Sequence, residues 1–130
     1  MAPDERVEFF ERVLDRFLIR ARHDDWIQFE AAGSSEDYVR ITMSHGALCA
    51  EVGSHEQPAT ATSLSPFAAG FLEMNEFTRG TENPNFQRDH LPHESWTVAR
   101  MIDRLFGIYE LPADFDVLVR GKQPRSARTD

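Results

Sequence analysis

Two histidines and a glutamate within five residues are the group in this chain best suited to chemistry. His90-Leu-Pro-His93-Glu94 offers imidazole and carboxylate groups, which are the side chains that bind zinc. A helical zinc motif places its histidines four positions apart, whereas His90 and His93 are three apart, and Pro92 prevents a regular helical turn between them. We therefore interpret the segment as the lead into a helix. A metal-dependent enzyme that uses His90, His93 and Glu94 is the remote alternative.

A second group with acid–base potential is Arg22-His-Asp-Asp-Trp26, in which one histidine precedes two carboxylates. A structural interpretation is favoured, because His23 follows the first predicted helix and would meet the negative end of its dipole. The two aspartates favour a turn into the next element. In the metal alternative, His23 or His55 would complete the ligand set.

Other catalytic signatures are missing from the sequence. No serine lies in a GxSxG elbow, and the chain contains neither GxGxxG nor GxxxxGK[ST]. Cys49 is the single cysteine, which excludes an internal disulfide and a cysteine-rich zinc site, and its strand-like surroundings favour a structural thiol. We predict no catalytic residue, no cofactor and no bound metal.

Length and composition indicate a globular protein. The 130 residues suit one domain with one core, and the 41% hydrophobic content is too high for a disordered chain. No apolar run approaches the roughly 18 residues that span a bilayer. The beginning, "MAPDERVEFF", is acidic where a signal peptide would be basic. We therefore expect a soluble protein, with a cytoplasmic location as the default.

Charge is unevenly distributed along the chain. The formal net charge of -8 disfavours nucleic acid as a partner, because binding to it depends on neutralising phosphates. The last eleven residues, "RGKQPRSARTD", are basic and have no apolar periodicity. The pattern predicts one domain over residues 1–119 and a flexible basic tail over residues 120–130.

Apolar periodicity predicts a helix followed by three strands. Residues 3–22 carry apolar side chains at helical spacing, with Pro3 suited to the first turn. The period then changes to two, which predicts strands around Phe29, Ile41 and Ala50. The first two strands are joined by the turn sequence "GSSED", and the next two by His45-Gly46. Such short connections predict an antiparallel meander with one apolar face.

The second half of the chain predicts a short helix, a short hairpin and a long helix. Ser65 and Pro66 suit the start of the short helix, which we expect to end at Asn75 in the left-handed conformation. The segments "EFTR" and "NFQR" predict a hairpin with Phe77 and Phe86 as core anchors. The long helix covers residues 94–109. Residues 115–119, "FDVLV", fit either a terminal strand or an apolar arm.

Several large side chains lie outside the predicted core faces. The apolar stripe of the last helix covers about half of its circumference, more than packing on one sheet requires. Trp and Tyr often anchor protein interfaces, although local contacts with a neighbouring loop would also explain them here. The residues that we predict for a partner or dimer interface are Trp26, Tyr38, Trp96, Met101 and Ile108.

The resulting fold class is α+β, in the order α-β-β-β-α-β-β-α, with helices packed on an antiparallel sheet. Four segments accompany this order: Trp26-Ile-Gln-Phe29, Leu64-Ser-Pro-Phe67, the helix end before Phe77, and Asn83-Pro-Asn-Phe-Gln-Arg88. Together with a final helix over residues 95–109, they resemble the type III secretion chaperones and the related YbjN-like proteins, together called the TY-Chap superfamily. The resemblance covers about residues 4–111 and departs where a glycine is expected before Phe77, since Glu76 stands there.

The resemblance implies a small acidic homodimer that has no catalytic residues and binds an extended or amphipathic segment of another protein. Backbone hydrogen bonds at sheet edges and apolar grooves would hold such a client. The acidity favours a basic client and keeps the protein in solution. The alternative hypothesis is an immunity-type or regulatory protein that blocks a single partner through its acidic surface.

Overall fold

The computed structural model describes residues 1–53, 66–79 and 85–121. Within these ranges no helix is long and apolar enough to cross a membrane. The α+β class is confirmed, and so is the predicted order of the first eight elements, to which a sixth strand is added. In chain order the elements are α1 (Pro3–Arg20), β1 (Trp26–Ala31), β2 (Ser34–Ser44), β3 (Ala47–Val52), α2 (Pro66–Met74), β4 (Thr78–Arg79), β5 (Phe86–Leu91), α3 (Ser95–Phe106) and β6 (Val117–Gly121).

The strands form one antiparallel sheet in the order β4-β5-β3-β2-β1-β6. The meander of β1, β2 and β3 lies at its centre, and the hairpin of β4 and β5 extends it beside β3. The terminal segment is a strand, because β6 pairs with the outer side of β1. Arg120 and Gly121, which we assigned to the flexible tail, are therefore the last two residues of β6. Residues 122–130 lie outside the described residues.

The helices cover one face of the sheet. The apolar residues that alternate along the central strands join those of α1, α2 and α3 in one core cluster. Its centre is an aromatic group in which the Phe10 ring lies 4.9 Å from the Phe29 ring and 6.0 Å from the Phe106 ring, measured between centroids. Phe77 and Phe86 are buried, which confirms them as core anchors.

The breadth of the apolar stripe on the last helix is explained within the subunit. α3 packs against α1 as well as over the sheet, so its buried residues occupy two contacts. Met101 is one of these buried residues, with 7% of its surface exposed. Both long helices are shorter than predicted, since α1 ends at Arg20 and α3 at Phe106.

A buried arginine fixes the segment that leads into β6. The Arg6 Nε atom lies 3.0 Å from Asp103 Oδ1 on α3, and its Nη1 atom donates to the carbonyl oxygen of Ala113 at 2.8 Å. The guanidinium group also lies 4.1 Å from the centre of the Phe115 ring. Charge-assisted bonds of this kind are strong when the group is shielded from water. One side chain thus joins α1, α3 and the chain before β6.

Two turns show how glycine sets the strand register. The His45-Gly46 hairpin is confirmed, with φ angles of 51° and 81° that suit the left-handed turn between two antiparallel strands. The first turn is shorter than predicted, because β2 already begins at Ser34, opposite Ala31. Gly33, with a φ of 83°, provides the reversal, and the Ser34 hydroxyl donates to Asp37 at 2.8 Å inside the strand.

The end of α2 differs from prediction by one residue. Asn75 was expected in the left-handed conformation, but the residue with a positive φ is Glu76, at 68°. The Asn75 side chain instead donates to the Phe71 carbonyl at 2.8 Å, which caps the helix. A residue with a Cβ in this conformation costs about 1–2 kcal/mol, and glycine avoids that cost. Ser65, the predicted N-cap, lies outside the described residues.

Replacing Glu76 with glycine should therefore stabilise the protein. We expect Glu76→Gly to raise the free energy of unfolding by up to about 1 kcal/mol, despite loss of the exposed ion pair with Arg88. Glu76→Ala is the matched control, because it removes the same carboxylate and keeps the Cβ. Urea denaturation measures both variants. Equal stability of the two variants would show that the left-handed conformation is not strained.

The aromatic centre should dominate the stability of the fold. Phe10→Ala is expected to lower the free energy of unfolding by about 3–5 kcal/mol, because it leaves a cavity beside Phe29 and Phe106. The control is Ile19→Ala on the same helix, where 82% of the side chain is exposed and the loss should stay below about 0.5 kcal/mol. Chemical denaturation followed by circular dichroism compares them, and similar losses would contradict this description of the core.

Candidate functional site

The five predicted interface residues do not form one surface. Trp26 and Tyr38 lie together on the sheet face that the helices leave uncovered, which we call the open face. Trp96 is 46% exposed at the start of α3, with the Arg100 guanidinium 5.7 Å from its ring centre. Met101 is in the core, and Ile108 packs half-buried against it.

On the open face, which no helix covers, side chains of neighbouring strands are connected by polar contacts. Arg40 lies between the two aromatic residues, 4.9 Å from the Trp26 ring centre and 5.8 Å from that of Tyr38. Its Nε atom donates to Gln28 at 2.9 Å, and Gln28 in turn donates to Glu30 at 2.8 Å. Gln28 and Glu30 are buried, so these bonds offset the cost of removing their polar groups from water. The arrangement explains Trp26 and Arg40 as structural residues.

A carboxylate on β3 is held in a fixed orientation on the same face. Glu51 accepts hydrogen bonds from the Tyr38 hydroxyl at 3.1 Å, from Asn85 at 3.0 Å and from Gln87 at 3.1 Å. A shallow pocket of about 230 Å³ lies beside it and is bordered by Cys49 and Asp89. The surface is acidic and hydrogen-bonded, which suits polar contacts with a basic group.

The thiol in this pocket is poorly suited to nucleophilic chemistry. Burial raises the pKa of Cys49 above its ordinary value, and the neighbouring Asp89 carboxylate raises it further. The thiolate is the reactive form, so a raised pKa lowers reactivity at neutral pH. The geometry agrees with the interpretation of Cys49 as a structural thiol.

The four histidines in the described residues lie in two places, and His55, the other histidine named for the metal alternative, lies outside those residues. His23 and His45 lie with their ring centres 4.1 Å apart, and the His45 backbone N–H donates to His23 Nδ1 at 3.1 Å. His23 therefore contacts the hairpin turn; the end of α1, which we expected it to meet, comes two residues earlier than predicted. His90, His93 and Glu94 are exposed. In the described part of the chain no group of three or more His, Cys, Asp or Glu side chains is arranged to hold a metal ion.

Two large apolar side chains on α2 are largely exposed. Phe67 and Met74 are 84% and 87% exposed, while Ala68 and Leu72 on the opposite side of the helix are buried. Their spacing of seven positions places Phe67 and Met74 on one side of the helix, with Gly70 between them. We define the α2 surface as Phe67, Gly70, Glu73 and Met74. A Cβ built on Gly70 meets no atom within 4 Å, so the helix surface at this point is open.

The periodicity of α2 was recognised, but its direction was not. Phe67, Phe71 and Met74 recur at helical spacing in the sequence. The structure buries Ala68 and Leu72, packs Phe71 partly buried against the core, and leaves Phe67 and Met74 exposed. Over nine residues both apolar sets fit the helical period, so the period alone does not give the direction of the helix.

A groove lies beside the α2 surface. It has a volume of about 490 Å³ and runs between α2 and the edge strand β4. The carboxylates of Glu73 and Glu76 line it, together with Ala69, Phe77, Thr78, Arg79 and Phe86. Apolar side chains beside an acidic groove could accept one side of an amphipathic segment.

Comparison of the chain with protein-family models, with curated proteins and with solved structures returns no match. The resemblance to the TY-Chap superfamily therefore stays a prediction.

The hydrogen bonds of the two tyrosines predict how stability depends on pH. Burial, followed by the Glu51 carboxylate, raises the pKa of Tyr38 to about 12, and burial raises the pKa of Tyr109 as well. An unfolded tyrosine ionises near pH 10. The pKa values are higher in the folded protein than in the unfolded chain. The stability that the protonated tyrosine hydroxyls contribute is therefore complete below about pH 10 and is lost as the pH rises toward 12.

We therefore expect stability to decline above about pH 10, and Tyr38→Phe to make that decline shallower. Tyrosinate absorbance of the folded protein gives the ionisation directly. Ionisation of both tyrosines near pH 10 without loss of structure would contradict the burial of their hydroxyl groups.

Proposed function

We propose that this protein is a noncatalytic protein-binding module that holds an amphipathic segment of another protein and works as a homodimer in the cytoplasm. The observation that carries the proposal is the exposure of Phe67 and Met74 on one side of α2. The fold class supports it, because a one-sided sheet leaves helix surfaces and strand edges available to a second polypeptide.

The energy of burial explains why such residues favour a partner. Burying a Phe or Met side chain that was exposed contributes about 1.5–3 kcal/mol each. The short helix already provides Ala68 and Leu72 to the core, so folding of one subunit does not use Phe67 or Met74. Gly70 leaves a shallow notch between them that can accept an apolar side chain of the partner.

The charges around the α2 surface select the chemistry of the partner. Glu73 lies next to the apolar side chains, and Glu76, which is ion-paired with Arg88 at 3.2 Å, continues the border of a groove that Arg79 also lines. Acidic groups at the rim of an apolar contact attract basic groups and determine the register of binding. The best-fitting client is an amphipathic segment with apolar residues on one side and Lys or Arg beside them.

A second candidate is a regulatory protein that blocks one partner through its acidic surface. It is favoured by the open face, where Glu51 is held in a fixed orientation and Asp89 borders the same pocket. The two candidates differ in their response to salt. Binding through exposed charges weakens strongly as ionic strength rises, whereas burial of apolar area does not.

The α2 surface can be tested with matched substitutions. Phe67→Asp and Met74→Asp introduce a charge where an apolar contact is proposed, and Ile19→Asp introduces the same charge at an equally exposed site on α1. Clients recovered with the wild-type protein are identified, and the binding segment is synthesised and titrated against each variant. We expect both α2 variants to weaken binding at least about tenfold, as loss of an interface anchor does, and Ile19→Asp to leave it unchanged.

Two results would contradict the proposal. Equal binding by all three variants would remove the α2 surface from the interaction. Failure of the wild-type protein to bind any protein segment at micromolar concentration would contradict a protein-binding function altogether.

A further inference from the structure

β6 is an edge strand with exposed apolar residues. Leu118 is 49% exposed and Val119 is 37% exposed, and they point to opposite faces of the sheet. Within residues 1–53, 66–79 and 85–121, β6 has one strand neighbour, β1. An edge of this kind pairs readily with another strand.

The register shows which backbone groups point away from the sheet. Ala32 N–H donates to Asp116 C=O at 2.8 Å, and the same register continues through Glu30 opposite Leu118 and Gln28 opposite Arg120. Alternate residues of an antiparallel strand direct both backbone groups to the same side. The groups of Leu118 and Arg120 therefore bond to β1, and those of Val117, Val119 and Gly121 point outward.

The order of charges along β6 identifies what fits this edge. An acidic residue, Asp116, precedes the strand, apolar residues occupy its middle, and the basic Arg120 comes near its end. Within the subunit Asp116 is ion-paired with the terminal amine of Met1 and Arg120 with Glu30, but the Asp116 and Arg120 side chains both stay more than half exposed. When such a strand meets a second copy in the antiparallel direction, each acidic end approaches a basic end. In the parallel direction two Arg120 side chains would lie side by side, which is unfavourable.

We propose that two copies of this chain pair antiparallel along β6, with Val119 on the two-fold axis; the proposal rests on the homodimer that forms part of the proposed function. The outward backbone groups of Val119 then bond to those of Val119 in the second copy, and Val117 pairs with Gly121. Arg120 lies opposite Leu118 of the second copy and diagonal to its Asp116, within reach of a long side chain. The two sheets become one continuous sheet.

Apolar surface on the helix side of the sheet reaches the same edge. Val119 is paired with Phe29, and the half-buried Phe9 ring lies 6.5 Å from the Phe29 ring centre. A second copy would cover these side chains with its own Val119 and Phe9. The contact is isologous, since the same patch is used on both subunits.

Val119→Pro tests the edge without removing a bond to β1. The Val119 N–H points outward, so proline at this position removes one donor from each subunit of the proposed dimer and none from the β1–β6 ladder. Light scattering after size exclusion should show a wild-type dimer and a Val119→Pro monomer at tens of micromolar. Circular dichroism checks that the variant is folded.

A pair of charge variants tests the register independently. Leu118→Glu places a carboxylate opposite Arg120 of the second copy, and Leu118→Lys places a like charge there. Within one subunit the effect on stability is reversed, because position 118 is also opposite Glu30, which repels a glutamate and attracts a lysine. We expect Leu118→Glu to dimerise severalfold more tightly than Leu118→Lys, although Leu118→Lys should be the more stable subunit. Dilution series in analytical ultracentrifugation give the dimer dissociation constants.

Any of the following outcomes would overturn the β6 pairing. If Val119→Pro stays dimeric, or the Lys variant dimerises as tightly as the Glu variant, the dimer uses another surface and the homodimer proposal stands. If Val119→Pro weakens client binding while the dimer is intact, the edge belongs to the client. A monomeric wild type overturns the β6 pairing and the homodimer together, and the α2 test of client binding is unaffected.

Discussion

A sheet has two faces, and the helices of this protein cover only one of them. The alternation of side chains along each central strand sends apolar groups toward α1, α2 and α3 and polar groups to the open face. The open face is then stabilised by its own contacts. Gln28 and Glu30 are buried there, and bonds from Arg40 and Arg120 satisfy them. The stability of the whole sheet depends on this division.

Because the helices cover one face of the sheet, the edge strands β4 and β6 and the α2 surface are left for further contacts. β4 has two residues and offers little edge, whereas β6 has five residues and carries exposed Leu118 and Val119. Arg6 holds the chain before β6 against α1 and α3, so this edge is fixed in position although it comes late in the chain. The α2 surface borders the groove beside β4 and lies apart from β6 at the opposite end of the sheet, which allows a dimer contact along β6 and a client contact on α2 to coexist.

The order of elements could be read from the sequence because apolar periods of 3.6 and two are strong over long segments. Local chemistry also predicted the His45-Gly46 turn and the burial of Phe77 and Phe86. The remaining features depend on long-range contacts. The pairing of β6 with β1 joins residues about ninety positions apart, and no local pattern in "VLVRG" specifies it. The left-handed Glu76 belongs to the local C-cap of α2, in which Phe77 N–H donates to Leu72 C=O and Glu76 N–H to Glu73 C=O, one position later than the Asn75 that residue preference suggested.

The candidate site was less predictable than the fold. Aromatic type and a position outside the predicted core faces selected Trp26 and Tyr38, which the structure places in the polar contacts of the open face. Breadth of the apolar stripe selected Met101, which the structure buries in the core. Phe67 and Met74 were not selected as interface residues, because sequence periodicity gives the spacing of a helix face but not its direction.

The central claim is that apolar surface beyond the needs of one core is used to bind another polypeptide. Calorimetric titration of the client segment at several temperatures measures this most directly, since burial of apolar area gives a negative change in heat capacity. The account predicts a negative heat-capacity change whose magnitude decreases with Phe67→Asp and changes little with salt. A heat-capacity change near zero, with binding abolished by salt, would contradict it.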